Sequence, residues 1–142
     1  MSKKPEASDR TFESLTVGES VSTSHTITES VVQAFAELSG DHNPLHTNPA
    51  YAKETLFGKP IAHGMLLASF VSELVGMSLP GKRCLLVKET LEFKLPVFYG
   101  DTVRVVGTLM HKSASTGLLD IEIKIEREST TVALGSVVAR VM

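Results

Sequence analysis

The chain has one cysteine, Cys84, in 142 residues. No internal disulfide can form, and a thiolate zinc site would lack its ligands. Basic runs are absent, and the net charge is -2. Nothing in that balance suits a nucleic acid. No apolar run is long enough to span a bilayer. The first fourteen residues, Met1 to Ser14, carry both charge signs and lack the apolar core of a secretory signal. They also lack the acid-poor look of a transit peptide, so the cytoplasm is expected. A mature organelle protein without its leader would look the same. Also missing are a phosphate-binding glycine loop, a G-x-S-x-G elbow, internal repeats and low-complexity tracts. Lys59, Lys82 and Arg83 read as solvated side chains.

What is present is globular. Hydrophobic residues make up 42%, and the length fits one domain, 1–142, with a loose tail over 1–8. Ser20 to Ile27 carries β-branched residues and reads as a strand. Thr28 is a good N-cap for a helix over Glu29 to Leu38, and Gly40 sits where a left-handed C-cap would end it. Asp41 to Pro60 reads as a loop stiffened by two Asn-Pro steps, Asn43-Pro44 and Asn48-Pro49. Asn48 can cap a short helix running through Lys53.

Gly64 to Met77 reads as a buried helix, apolar on most of its circumference. Its exceptions, Ser69, Ser72, Glu73 and Gly76, form one narrow stripe. Beyond Pro80-Gly81 the period changes. Cys84 to Leu95, Thr102 to Lys112, Leu118 to Arg127 and Thr131 to Val141 are four strands. Short turns at 96–101, 113–117 and 128–130 suggest that consecutive strands are antiparallel neighbours. The expected class is α+β, an antiparallel five-stranded sheet wrapped around a central apolar helix. Its free edge invites a second copy of the chain.

Asp41 and His46 are common acid–base types, held five positions apart in a rigid segment. Taken singly, each is better read as an ordinary polar loop residue. The helix head that follows changes the balance. Backbone N–H groups there can stabilise a developing oxyanion, and Gly64 lets a carbonyl come close. His42, His46, Asp41 and His63 also raise a metal reading. Pro44 breaks any continuous helix between His42 and His46, so the two need not share a face, and no metal is expected.

Two motifs carry a resemblance: Ser39-Gly40-Asp41-His42-Asn43-Pro44-Leu45-His46 and Pro60-Ile61-Ala62-His63-Gly64-Met65-Leu66. Together with Phe93-Lys94-Leu95-Pro96-Val97-Phe98 and Gly100-Asp101, they resemble the (R)-specific enoyl-CoA hydratases, or MaoC-like dehydratases. That resemblance implies a hot-dog fold, a homodimer, and reversible addition of water to a trans-2-enoyl thioester. The acyl group would be carried on CoA or acyl-carrier protein, and no cofactor would be needed. It implies Asp41 and His46 as the catalytic pair and the Gly64 N–H as the oxyanion donor. Asn43 would support the site, and Ser72 would stand beside the pair. Val75 would be among the residues bounding the acyl tunnel. His42 takes no role, and His63 is expected to be dispensable unless it shapes the helix head. A hot-dog thioesterase and a non-catalytic acyl-thioester-binding module are the competing readings. Release of free thiol would mark the first, and tight binding without turnover the second.

Overall fold

The computed structural model describes residues 2–142. Its elements run β1 (Ser20–Thr26), α1 (Glu29–Ser39), α2 (Pro44–Thr47), α3 (Pro49–Lys53), α4 (Gly64–Met77), β2 (Cys84–Phe93), β3 (Thr102–Ser113), β4 (Leu118–Arg127) and β5 (Thr130–Val141). All strand pairings are antiparallel. The strand alternation in β4 is realised in full: Ile121, Ile123 and Ile125 are completely buried. Leu66, Leu67, Val71, Leu74 and Val75 of α4 join them in one core. This is the hot-dog arrangement, a curved sheet around one apolar helix. No helix among the described residues is long and apolar enough to cross a membrane.

Strand order corrects one expectation. It is β1-β3-β4-β5-β2, so β2 pairs with β5 and not with its sequence neighbour β3. The segment 94–101 is therefore a crossover and not a hairpin turn. Three strand spacings amount to about 14 Å, and eight residues can reach about 26 Å, so the short connection suffices. Arg127 pins it, donating at 2.8 Å both to the Pro96 carbonyl and to Asp101 Oδ2. The crossover then runs beside the segment leading into α4. Ala62 N–H donates to the Val97 carbonyl at 2.7 Å, and Ile61 bridges to Phe98. These contacts join the two stretches that build the site.

The α4 helix is less enclosed than its composition suggests. Met65 is 66% exposed, and Ser69, Ser72 and Glu73 face outward. The sheet covers one side of the helix and leaves this face open. The polar stripe is partly engaged by β1, where His25 Nε2 lies 2.6 Å from Glu73 Oε2. Before β1, Ser8 N–H donates to the Met77 carbonyl at 2.9 Å.

Candidate active site

The site begins at the end of α1. Gly40 adopts φ 78°, and its N–H returns to the Ala36 carbonyl, a left-handed cap that turns the chain outward at Asp41. Asp41 Oδ1 accepts from Asn43 N–H at 3.1 Å, an Asx turn that fixes the carboxylate and leaves Oδ2 free. Asn43 Oδ1 accepts from Leu45 N–H at 3.0 Å. Asn43 is thus the N-cap of α2, with Pro44 at its first position. Asn48 repeats the pattern for α3. Each Asn-Pro step starts a short helix, so the expected loop holds two. Because α2 begins at Pro44, it carries His46 and leaves His42 outside.

Three contacts hold His46. Its Nδ1 lies 2.8 Å from the Ile61 carbonyl. A carbonyl can only accept, so Nδ1 carries the proton and the neutral ring presents a lone pair on Nε2. The Tyr99 hydroxyl, from the crossover, donates to the His46 carbonyl. The His46 ring lies against that of His63, with centroids 3.9 Å apart.

His63, the N-cap residue of α4, is 1% exposed. Its Nε2 donates to the Asp41 carbonyl at 2.9 Å. Burial is the main cause that pushes its pKa down, and the bond to the Asp41 carbonyl opposes it. A carboxylate oxygen of Asp41 and one ring nitrogen each of His46 and His63 lie within 4.8 Å of one another. A single water accepting and donating at about 2.8 Å bridges groups at that spacing. These are also metal-ligand types. An ion taking His46 through Nδ1 or His63 through Nε2 would compete with the bonds to the Ile61 and Asp41 carbonyls.

A groove of about 290 Å³ opens beside His46 and Gly64. Ile61, Leu67, Phe93, Leu95 and Val97 line it along with them. As the first residue of α4, Gly64 has an N–H with no intrahelical acceptor. Phe93 leans so close that a Cβ at position 64 would lie 3.0 Å from its ring. His46 and Gly64 therefore share one groove, and Asp41 lies within 4.8 Å of a ring nitrogen of His46.

The other expected residues fall elsewhere. Asn43 shapes the loop, its side-chain Oδ1 capping α2. Ser72 is exposed and Val75 is 2% exposed within the core; neither lines this groove. Three participants were not expected from sequence: the Ile61 carbonyl, Tyr99, and His63 as a group touching both Asp41 and His46.

Comparison with known proteins bears on the family and the fold. The family described as "MaoC like domain" matches residues 12–131. The (R)-specific enoyl-CoA hydratase of Aeromonas caviae is 52% identical over 91 residues, 64% of this chain and 68% of that protein. The (R)-specific enoyl-CoA hydratase of Rhodospirillum rubrum is 42% identical over 127 residues, 89% of this chain and 84% of the other. A solved structure, the (R)-hydratase from A. caviae involved in PHA biosynthesis, superposes with TM-score 0.88 at 38% identity. It covers 92% of this chain and 99% of that one. With its fold, its paired motifs and its relatives in agreement, the chain belongs to the MaoC-like domain family.

Proposed function

We propose that this protein is an (R)-specific enoyl-thioester hydratase, acting reversibly as a 3-hydroxyacyl-thioester dehydratase. The carrying observation is that a carboxylate oxygen of Asp41 and a ring nitrogen of His46 lie within 4.8 Å of each other, beside a groove that His46 and Gly64 line.

The acyl chain lies in the groove with its thioester carbonyl at the head of α4. The Gly64 N–H and the helix dipole stabilise the negative charge that builds on the carbonyl oxygen. Water held between Asp41 and His46 adds to C3. The pair accepts a proton from the water and returns one to C2 on the same face. Oxygen and hydrogen are thus added and the double bond is lost, with no change in the pair. Dehydration is the same path reversed. The thioester itself supplies the activation.

The whole of 1–142 acts as one domain in this reading, and the working form is a homodimer. The edge strand β2 exposes Leu85, Leu86 and Val87, and Met65 stands exposed on α4. A second copy of the chain would cover them. A reducing compartment, the cytoplasm, suits a chain whose one cysteine is free.

The direct test is loss of ultraviolet absorbance when the purified protein meets crotonyl-CoA or a longer enoyl-CoA, before and after exhaustive chelation. An (R) product at an unchanged rate is expected. An (S) product, or activity restored only by added zinc, would overturn the reading, and free thiol release would favour a thioesterase. Sedimentation at micromolar concentration is expected to give twice the chain mass.

A further inference from the structure

His63 has no part in the chemistry just described, yet it touches both members of the acid–base pair. Its Nε2–H holds the Asp41 carbonyl at 2.9 Å. One face of its ring meets His46 at 3.9 Å, and Phe35 of α1 packs against it at 4.9 Å. It is the one buried polar residue among the described residues.

Its other ring nitrogen, Nδ1, is buried and has no hydrogen-bond partner among the described residues. An unpaired buried acceptor is destabilising, and an apolar side chain of similar size would avoid it. Packing alone therefore does not account for histidine here. A phenyl ring would keep the contact with His46 but would release the Asp41 carbonyl. Glutamine would keep a donor near the Nε2 position but would remove the flat ring beneath His46. Histidine supplies both.

We propose that His63 is the positioning residue of the pair, a neutral Nε2–H imidazole that ties the Asp41 peptide to the head of α4 and backs the ring of His46. The carbonyl it grips belongs to the residue whose carboxylate is already set by the Asx turn to Asn43. Asp41 N–H is held in turn by Ser39 Oγ at 3.1 Å. Asp41 is thus fixed at its amide, its carbonyl and one carboxylate oxygen, and Oδ2 is left to work. His46 is fixed at Nδ1 and along one ring face, and Nε2 is left to work. Burial holds the His63 pKa down, so no second positive charge arises beside His46 when the pair carries its proton. His63 also begins α4, so the same residue registers the pair against the Gly64 N–H.

This inference rests on the hydratase reading, and its test has one arm that does not. In unmodified protein labelled with nitrogen-15, the imidazole signals are expected to show His63 neutral with its proton on Nε2 at neutral pH. Neutral His46 should carry its proton on Nδ1. A charged His63, or a proton on its Nδ1, would overturn the proposal whatever the enzyme does.

The kinetic arm compares His63→Gln, which keeps a donor near Nε2, with His63→Phe, which keeps only the ring. His63→Phe is expected to lower kcat by ~10–100-fold with little change in KM, the usual cost of losing an orienting contact. His63→Gln is expected to recover most of that loss. If His63→Phe does not fold, His63→Asn replaces it, since its donor falls near Nδ1 and misses the Asp41 carbonyl. A folded His63→Phe or His63→Asn with unaltered kcat would overturn the proposal. So would a loss equal in the Gln variant, or one expressed only in KM. If unmodified protein hydrates no enoyl thioester, the function is wrong, and the nitrogen-15 result still judges the geometry.

Discussion

The Nδ1–H of His46 donates to the carbonyl of Ile61, fifteen residues ahead in the chain, at 2.8 Å. One bond therefore joins the acid–base loop to the segment that leads into α4, and it also sets the tautomer. The lone pair on Nε2 is a consequence of where a backbone carbonyl points. In the proposed reaction the working nitrogen of His46 is thus fixed before any substrate arrives, so little reorganisation remains for the reaction itself.

If Asp41 and His46 work on one water, they behave as one unit. Asp41→Asn or His46→Gln alone is expected to lower kcat by about 10²–10⁴-fold, the range for a positioned acid or base. Substrate binding should change little, because the groove and the helix head are untouched. The double variant should add little to the worse single one, as in other units acting together. Multiplicative losses would mean two independent roles, and near-normal turnover in a folded Asp41→Asn would remove the pair from the mechanism.

Tyr99 offers a gentler probe of the same geometry. Burial is the main cause that raises its pKa, with the charge of Glu29 adding to it, so the phenol stays a donor through the usual assay range. Tyr99→Phe removes only the hydrogen bond to the His46 carbonyl. A neutral hydrogen bond is worth about 1 kcal/mol net, so the loss in kcat should be below about tenfold. The melting temperature should fall by a few degrees at most, about what such a loss produces in a chain of this size. A variant with full kcat would show that the crossover does not steer α2.

Stability should depend on pH through Glu19. The Arg10 guanidinium grips this carboxylate with two bonds, at 2.7 and 3.1 Å. Together with a bond from Thr16 N–H, which acts more weakly, that pairing holds the Glu19 pKa below the usual carboxylate range, against the opposing pull of burial. A carboxylate with a depressed folded pKa stabilises the fold above its unfolded pKa. The contribution is lost as pH falls through the lower folded value. Glu19→Gln should therefore cost about 1 kcal/mol at pH 7, a modest value for a partly exposed pair. Denaturant titrations of the two proteins should begin to converge as pH falls past about 4, where an ordinary glutamate is protonated, and meet only below the lower folded value. A gap that stays constant with pH would assign the effect to packing.

How much of this was readable beforehand follows from which interactions carry residue identity. The strands of β3, β4 and β5 announce themselves because a half-buried strand must alternate, as Ile121, Ile123 and Ile125 do. Strand order is not announced, since 94–101 is equally short as a turn or as a crossover. The α2 helix has four residues, too few to show a period, and only its Asn-Pro start hints at it. The Asp41–His46–Gly64 motif was visible because its residue types are chemically particular. The acceptors that orient it, the carbonyls of Ile61 and Asp41, belong to every residue alike. For the same reason nothing in the sequence marks His63 beyond its place at the head of α4; its part lies in its contacts with the Asp41 carbonyl and the His46 ring. The places of Ser72 and Val75 depend on how the sheet meets α4, which helix periodicity does not specify. The fold turns the first outward and the second into the core.

Gly64 is the sharpest place to separate packing from chemistry. A methyl group there would lie 3.0 Å from two atoms of the Phe93 ring and 3.2 Å from a third. Phe93 is 46% exposed, so its ring can swing away, and Gly64→Ala should fold with nearly the same melting temperature. The same methyl would also stand where a thioester carbonyl must approach the Gly64 N–H. Losing one oxyanion donor typically costs about 10²–10³-fold in kcat, and a loss toward that range is expected. Phe93→Ala in the same chain tells the two causes apart. If the displaced ring were the fault, removing it would restore Gly64→Ala to the level of Phe93→Ala alone. If the methyl blocks the carbonyl, the double variant stays as slow as Gly64→Ala. The second outcome is expected, because the N–H lies on the backbone that carries the methyl. Wild-type turnover in Gly64→Ala would move the oxyanion site away from the head of α4.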